Sequence, residues 1–259
     1  MSASGDVHAG DGDETHGAWL FDLGNSRLKF APLHGDGSIG AVQALAHDGA
    51  AFELRWETRL PARCEAAWLA SVAAPALRDA LRDALAARGG CVHVARSEAE
   101  SGGVSIAYAQ PSRLGVDRFL ALVGAHARDP AAVSLVVGVG TALTIDLLDG
   151  GRHLGGRIAP SPALMRAALH ARAPVLPETG GRYVDFADDT DDALASGCEG
   201  AAVALVQRSL EAASARTGRL PVLLVHGGGA PALLSRLPGA MHAPALVLEG
   251  LAHRARASA

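Results

Sequence analysis

Basic runs, aromatic residues and cysteines are all scarce in this 259-residue chain. Aromatics make up 4% of it and the net charge is -4, with a pI near 6.2. A nucleic-acid binder needs a basic face for the phosphate backbone and rings to stack on bases, so that class of partner is excluded. Cys64, Cys91 and Cys198 are odd in number, widely spaced and without a CxxC pair. Such spacing builds neither a disulfide framework nor a zinc site, and it fits a reducing, cytoplasmic setting. No uninterrupted apolar segment is long enough to span a bilayer, so no membrane role is expected. The opening stretch, MSASGDVHAGDGDETHG, lacks the basic-then-apolar layout of a signal peptide; residues 1–17 read as a disordered polar leader. Three enzyme signatures are missing as well. No glycine-rich loop ends in the lysine of a P-loop, no G-x-G-x-x-G precedes a helix, and no G-x-S-x-G elbow presents a serine nucleophile.

What is present is apolar material, 49% of the residues, which is ample for a packed core. The length suits one large domain or two small ones. In RLKFAPL, Leu28 and Phe30 fall on one face and Arg27 and Lys29 on the other, so residues 18–33 predict two strands around LGNS. AAWLASVAA, from Ala66, predicts a buried strand. From Pro75, leucines at 77, 81 and 85 predict a helix that stops at Gly89-Gly90. CVHVA is a short strand. Val116, Phe119, Leu120 and Val123 share one face of a helix that ends before Pro130. Three strands follow, Ser134–Val137, Leu143–Leu148 and RHLGGRIA, the last two joined by the hairpin signal DGG. SPALMRAALHAR predicts a helix, and DTDDALASG opens a long one with acids at its positive end. Ser196 and Gly197 in that helix are expected to permit close helix packing. LPVLLVHGGGAPALLSRL reads as strand, glycine turn, helix.

The pattern repeats in kind. An apolar strand enters a polar glycine turn, a second strand leaves, and helices follow, first near residue 20 and again near residue 138. Two α/β halves, 18–129 and 130–259, with a boundary near Asp129-Pro130, predict a cleft onto which both turns face.

Four stretches carry chemistry. In the first turn, Gly24 lets the backbone approach closely and Asn25 and Ser26 add donors, so the turn makes a nest for phosphate oxygens. Asp22 before it is placed to hold a hydrated Mg²⁺, and Lys29 to face an anion; an ordinary polar hairpin is the competing reading. In the second turn, Gly140, Thr141 and Ala142 leave room for phosphates, with Asp146 on the outgoing strand. In PSRLGVDRFLA, Asp117 and Arg118 open a helix. They read either as a helix-start acid with a surface arginine or as a base beside a cation that grips an acidic substrate. In VHGGGAP, the glycines around Gly228 and Gly229 permit a flat ligand against the backbone or simply a flexible turn, and His226 is either a donor or structural.

In this order, the four stretches resemble the type III pantothenate kinase family of the acetate and sugar kinase, Hsp70 and actin superfamily. Asp22, Gly24, Asn25, Ser26 and Lys29 match D-x-G-N-[ST]-x-x-K. Tyr108, Pro111, Gly115, Asp117 and Arg118 match Y-x-x-P-x-x-x-G-x-D-R, and Gly140, Thr141, Ala142, Thr144 and Asp146 match the second phosphate motif. LGGRIAPSPALMRAAL, APVLP, DTDDALASG and GGGA follow at the family's spacing. The resemblance covers almost the whole chain after the leader. It implies a two-domain actin-like (ribonuclease H-like) fold with the ATP cleft between domains, and phosphorylation of pantothenate by ATP as the first step of coenzyme A synthesis. It further implies that both turns cradle the phosphates, that Asp22 orients Mg²⁺ and that Asp117 accepts the hydroxyl proton. Arg118 would hold the pantothenate carboxylate, with Tyr108, Gly115, Val116 and the position of Ala173 lining that pocket. Gly228 and Gly229 would lie near the adenosine. A homodimer with substrate near the subunit interface is implied, as is a monovalent cation, K⁺ or NH₄⁺, near the phosphates.

Three positions depart from the family's pattern. Gly138 replaces a usual aspartate, Ala173 a frequent threonine and Ser161 a frequent glycine. Gly138 offers a cation no side-chain oxygen, so a weak or absent K⁺ requirement is expected. The competing class is a non-catalytic relative acting as a regulatory accessory factor, favoured by Gly138 and Ala173 and opposed by Asp22, Asp117, Arg118 and Asp146. A sugar or acetate kinase finds no motif support in GVDR.

Overall fold

The fold is that of a computed structural model, which describes residues 17–258; the expected leader, Gly17 apart, lies outside the described residues. Strands β1 (Ala18–Leu23), β2 (Arg27–Leu33), β3 (Gln43–Ala46), β4 (Ala66–Ser71) and β5 (Cys91–Val94) form one sheet in the order β3-β2-β1-β4-β5. Helix α1 (Pro75–Ala86) joins β4 to β5. Two short strands, β6 (Glu100–Ser101) and β7 (Val104–Ser105), precede helix α2 (Val116–Arg128). The second half runs β8 (Val133–Val139), β9 (Ala142–Asp149), β10 (Arg152–Pro160), α3 (Pro162–Arg172), α4 (Thr190–Thr217), β11 (Val222–His226), α5 (Ala230–Leu234), β12 (Met241–His242) and α6 (Leu246–Ala257). Its sheet has the order β12-β11-β8-β9-β10-β7-β6.

The two sheets repeat one topology. In each, three strands meander antiparallel, and a fourth and fifth add in parallel on the other side of the first. Strand alternation then divides the apolar residues into three cores. Phe21, Leu23 and Phe30 point outward onto Leu77, Leu81 and Leu85 of α1. Val137, Leu143, Ile145 and Val225 point outward onto Ala202 and Val206 of α4 and Leu233 of α5. The inward faces of both sheets, Leu20, Ala31 and Ala70 on one and Val136, Leu148 and Leu224 on the other, close on α2 and α6. Those two helices therefore lie between the sheets, and every residue of α2 from Arg118 to Ala125 is buried. A helix enclosed on all sides loses the single apolar stripe that a surface helix shows.

Five elements lie outside the sequence expectation. Four are β3, β6, β7 and β12, strands of two to four residues, too short to display alternation. The fifth is α6, whose buried Leu248, Leu251, Ala252 and Ala255 carry a readable helical spacing. The Asp129-Pro130 link joins α2 to β8, and chain segments cross it in both directions. Strands β6 and β7 extend the second sheet, while α6 packs on β1, β2 and β4 of the first.

Close helix packing occurs elsewhere than at Ser196 and Gly197. The Ser196 hydroxyl accepts from Val184 N at 2.8 Å, tethering a loop, and a Cβ at Gly197 would meet open space. The close approach is at the α2–α6 crossing. A Cβ at Gly250 would overlap the Leu120 carbonyl, and one at Gly124 the Leu246 carbonyl. Neither obstacle is a side chain that can rotate away. Gly250→Ala is expected to destabilise the protein by about 2–3 kcal/mol and to lower Tm by roughly 5–10 °C, measured by calorimetry.

Candidate active site

The inward faces of both sheets are apolar at one end and polar at the other. On the first sheet the alternation that buries Leu20 and Ala31 brings Asp22 and Lys29 to the same face as a directly opposed cross-strand pair. On the second, the alternation that buries Val136, Leu148 and Leu224 brings round Gly138, Thr144, Asp146 and His226. The polar ends of the sheets flank the N-terminus of α2, which carries Asp117.

Three turns border this cleft. In the first, Gly24 N donates to Arg27 O at 3.0 Å, leaving Asn25 and Ser26 exposed at the tip. His47 braces it from behind: Nδ1 accepts from Gly49 N at 3.1 Å, so Nε2–H donates to Gly24 O at 3.0 Å. Phe52 packs edge-on against the His47 ring, and Trp56 stacks on Phe52. In the second turn, Gly140 N donates to Ala142 O at 2.9 Å, and the Thr141 carbonyl accepts from Ser161 N at 3.4 Å. Ser161 also caps α3, its hydroxyl accepting from Leu164 N at 3.2 Å, which explains a serine there. The third turn follows β11. Gly227 has φ +95°, a conformation that L side chains rarely adopt, and Gly229 N donates to Val139 O at 2.9 Å. Gly228 faces Arg27 across the cleft; a Cβ at 228 would lie 3.2 Å from the arginine Nη1. Lys29 also spans the cleft, donating from Nζ to Pro244 O at 3.2 Å.

Asp117 is half-buried, and its Oδ1 accepts from Arg118 N at 2.8 Å. Burial pushes its carboxyl above the ordinary carboxylate range. Asp22 is pushed further, to about 7, by burial first and then by the neighbouring Asp117 charge, with Lys29 opposing. The two carboxylates thus act on one another, with Lys29 opposing the charge of Asp22 and Arg118, itself paired to Asp146, that of Asp117. That arrangement is short of positive charge.

Arg118 is 6% exposed and already paired. Its Nε and Nη2 donate to the two Asp146 oxygens at 2.8 and 2.6 Å, and Nη1 donates to the Tyr108 hydroxyl at 3.3 Å. His153 Nε2 donates to Asp146 Oδ1 at 3.0 Å, while its Nδ1 accepts from Ala107 N at 3.4 Å. Burial raises the Asp146 carboxyl, but the hydrogen bonds from His153 and Arg118 outweigh it and hold the group below its ordinary value. Gly156 opposite leaves the necessary room, since a Cβ there would overlap Asp146 Oδ1. Arg118 is thus held in place before any substrate carboxylate meets it. Three of the five guanidinium N–H groups are engaged and the charge is balanced by Asp146, leaving two N–H groups.

Most residues named from the sequence therefore meet at one cleft: Asp22, Gly24, Asn25, Ser26, Lys29, Gly140, Thr141, Ala142, Gly228, Gly229, Tyr108, Asp117 and Arg118. Gly115 is the N-cap of α2, and Val116 turns into the central core. Ala173 ends α3, which packs on α4 and β10; no hydrogen bond of this helix reaches the Asp117–Arg118 group. Arg27, His47 and His153 are cleft or supporting residues that motif spacing did not single out for a role, and His226, read as a donor or as structural, lies on the cleft face of β11. One compositional signal was available: Lys29 is the only lysine in the chain and Asn25 the only asparagine. Among the described residues, no cluster of three or more His, Cys, Asp or Glu forms a self-sufficient metal cage, and no helix is long and apolar enough to cross a membrane.

Comparison with known proteins gives the family and the fold. The family model for type III pantothenate kinase matches residues 19–212. A type III pantothenate kinase of Stenotrophomonas maltophilia (strain R551-3) is 60% identical over 236 residues, covering 90% of this chain and 95% of the relative. Among solved structures, a Baf-family protein of Campylobacter jejuni aligns with TM-score 0.63 at 20% identity, covering 93% of this chain and all of the other. The activator of 2-hydroxyisocaproyl-CoA dehydratase from Clostridium difficile, solved with bound ADPNP, aligns with TM-score 0.52 at 11% identity, covering 93% and 94%. At such identities these two carry the fold alone, that of actin-like ATPases and sugar kinases. Matched by its family model over most of its length and by close relatives end to end, the chain belongs to the type III pantothenate kinase family.

Proposed function

We propose that this chain transfers the γ-phosphoryl group of ATP to the terminal hydroxyl of pantothenate, the entry step of coenzyme A synthesis. The observation that carries the reading is the cleft itself, where two small-residue turns flank the facing carboxylates Asp22 and Asp117 with Lys29 beside them. Phosphoryl transfer asks a protein chiefly for positioning and charge neutralisation. The first and second turns present backbone N–H groups to the phosphates, Lys29 adds a compact positive charge, and Gly228 and Gly229 back the adenosine. Asp117 accepts the hydroxyl proton. The alcohol oxygen then bonds to the γ-phosphorus as the bridging P–O bond breaks, and ADP leaves with the bridging oxygen. Burial, which raises the Asp117 carboxyl, makes it a better base than an exposed aspartate.

Asp22 fits a Mg²⁺ site. Its carboxyl is pushed up to about 7 by burial and the Asp117 charge against Lys29 alone, so a dication brought in with ATP would supply the missing charge. Asp22 would hold it through water, and its chemistry there would be to neutralise phosphate charge. Arg118, with two N–H groups left, and Tyr108 frame the pantothenate end of the cleft. Gly115 and Val116 shape the start of α2 beside them. Ala173 joins the pocket through a second subunit. A homodimer is consistent with the exposed apolar residues Ile158, Leu164, Leu169, Val175 and Phe186 on β10, α3 and the segment after it, since exposed apolar surface marks interfaces. Cys64, Cys91 and Cys198 carry no disulfide, in keeping with a cytoplasmic setting. The retained carboxylates and the identity to enzymes of this name weigh against a non-catalytic accessory factor.

Purified protein with ATP, Mg²⁺ and pantothenate is expected to yield 4'-phosphopantothenate, identified by mass. Turnover should be comparable in Na⁺, K⁺ and choline salts, because Gly138 provides no carboxylate for a monovalent ion. Absence of product sinks the reading, and strict K⁺ dependence sinks the cation inference. Asp117→Asn should lower kcat by ~10²–10⁴-fold with nucleotide affinity little changed; a loss below about tenfold would reduce Asp117 to a helix-start acid. Asp22 carries a pH signature. Its folded carboxyl titrates near 7 against an ordinary 3.8, so between those values the folded chain keeps a proton that the unfolded chain releases. Stability contributed by this group falls as pH rises through that window. Asp22→Asn should be more stable than the wild type at pH 8 in ligand-free urea melts, with the advantage shrinking at pH 5.

A further inference from the structure

His226 is the last residue of β11, immediately before the glycine turn, and its side chain belongs to the cleft face of the second sheet. In register it pairs with Gly138, which in turn pairs with Thr144 of β9. A Cβ built at Gly138 would lie 2.6 Å from Thr144 Oγ1, 3.0 Å from His226 Nε2 and 3.2 Å from Cε1. The imidazole and the Thr144 hydroxyl therefore close over the glycine from either side and share the space that a side chain at 138 would need. No described residue hydrogen-bonds to the ring, and its neighbours on this face, Thr144 and Asp22, likewise make no side-chain hydrogen bond, so this end of the cleft holds several unengaged polar groups. The charged groups nearest it are Lys29 from the first sheet and Asp146 from the second.

Burial, with Lys29 adding to it, pushes the His226 pKa down to about 4. The ring is neutral at ordinary pH, with one nitrogen donating and the other accepting. A neutral donor beside an ammonium suits a polyphosphate. It contacts a phosphoryl oxygen at no cost in repulsion to Lys29 or to a metal ion. Resting on the kinase reading above, we propose that His226 is a nucleotide-phosphate contact of this enzyme, an N–H donor seated in the room that Gly138 leaves, so that the two positions act as one unit.

The proposal separates phosphate from nucleoside recognition, so the test is binding of Mg-AMPPNP and of adenosine by calorimetry. The proteins are wild type, His226→Ala, His226→Phe and His226→Gln, each checked for folding by its melt. His226→Ala and His226→Phe should weaken Mg-AMPPNP by about 10- to 100-fold and leave adenosine unchanged. Phenylalanine restores volume without a donor, whereas His226→Gln keeps an N–H and should recover most of the loss. Gly138→Ala should crowd the ring, and the Thr144 hydroxyl with it, and weaken Mg-AMPPNP in the wild type, yet cost clearly less in the His226→Ala background. Equal losses for Mg-AMPPNP and adenosine would make His226 part of the adenosine turn and overturn the proposal. Unchanged Mg-AMPPNP affinity, or full additivity with Gly138→Ala, would overturn it too. A wild type that phosphorylates pantothenate while His226→Ala binds normally removes this assignment and leaves the kinase reading standing; a wild type that binds no Mg-AMPPNP removes both.

Discussion

The buried pair of Arg118 and Asp146 fixes the geometry on which the cleft depends. Arg118 belongs to the helix between the sheets and Asp146 to the second sheet, so their two parallel hydrogen bonds set how α2 meets β9. Asp117 precedes Arg118 and inherits its position from that contact. Tyr108 is held by the same guanidinium, and His153 locks the loop before Tyr108 through the Ala107 amide. Desolvating two charges is costly, and such a pair yields little net stability. Leaving one partner without the other costs about 3–5 kcal/mol, so the pair persists as a unit. Its gain is orientation: one planar fork holds the Asp117 carboxylate, a phenol and a strand in fixed relation. The absent side chain at Gly156 is part of this arrangement, because the pair occupies that volume.

The repeated topology explains why the acids face each other at all. Each sheet ends its inward face in a polar turn, and the two ends are brought together by the shared helical layer of α2 and α6. Gly124 and Gly250 let those helices cross at backbone contact, which keeps the layer thin. A thicker layer would carry the two turns apart. Packing deep in the molecule therefore sets the width of the cleft, and the charge imbalance of Asp22 and Asp117 is maintained by the rigidity of the layer beneath them. The opposed cations, Lys29 and Arg27, reach toward the second half, so both halves of the cleft are spanned by side chains from β2.

Much of this was legible in the sequence. The strands around LGNS and GVGTA, the helix from Pro75 and the long helix after DTDD all appear where alternation, prolines and caps put them. The ordered motifs pointed to the family, and their residues converge. Other features could not be read that way. The partner of Arg118 lies 28 residues on in the chain, and spacing gives no hint that a cation expected to meet a substrate is satisfied internally. His47 acts through a hydrogen bond to Gly24 that depends on how β3 folds back. His226 gains meaning only from the strand that pairs beside it. Strand register, which decides these contacts, is a long-range property, whereas periodicity is local. One local signal did exist: a chain with 23 lysines and arginines has a single lysine, and that one lies in the first motif.

That solitary ammonium gives the protein an unusual chemical address. Every other basic side chain apart from the histidines is a guanidinium, which resists acylation near neutral pH because it stays protonated. Apart from the amine at the chain's beginning, amine-selective reagents have one place to react, and it is inside the cleft between the sheets, opposite Asp22. Acylation there removes the charge that opposes the two carboxylates, so a modification that elsewhere would decorate a surface becomes, in this chain, a question put directly to the cleft. The same arithmetic makes the protein a single-site template for attaching a probe: the label's position is set by composition, and bound nucleotide would shield it.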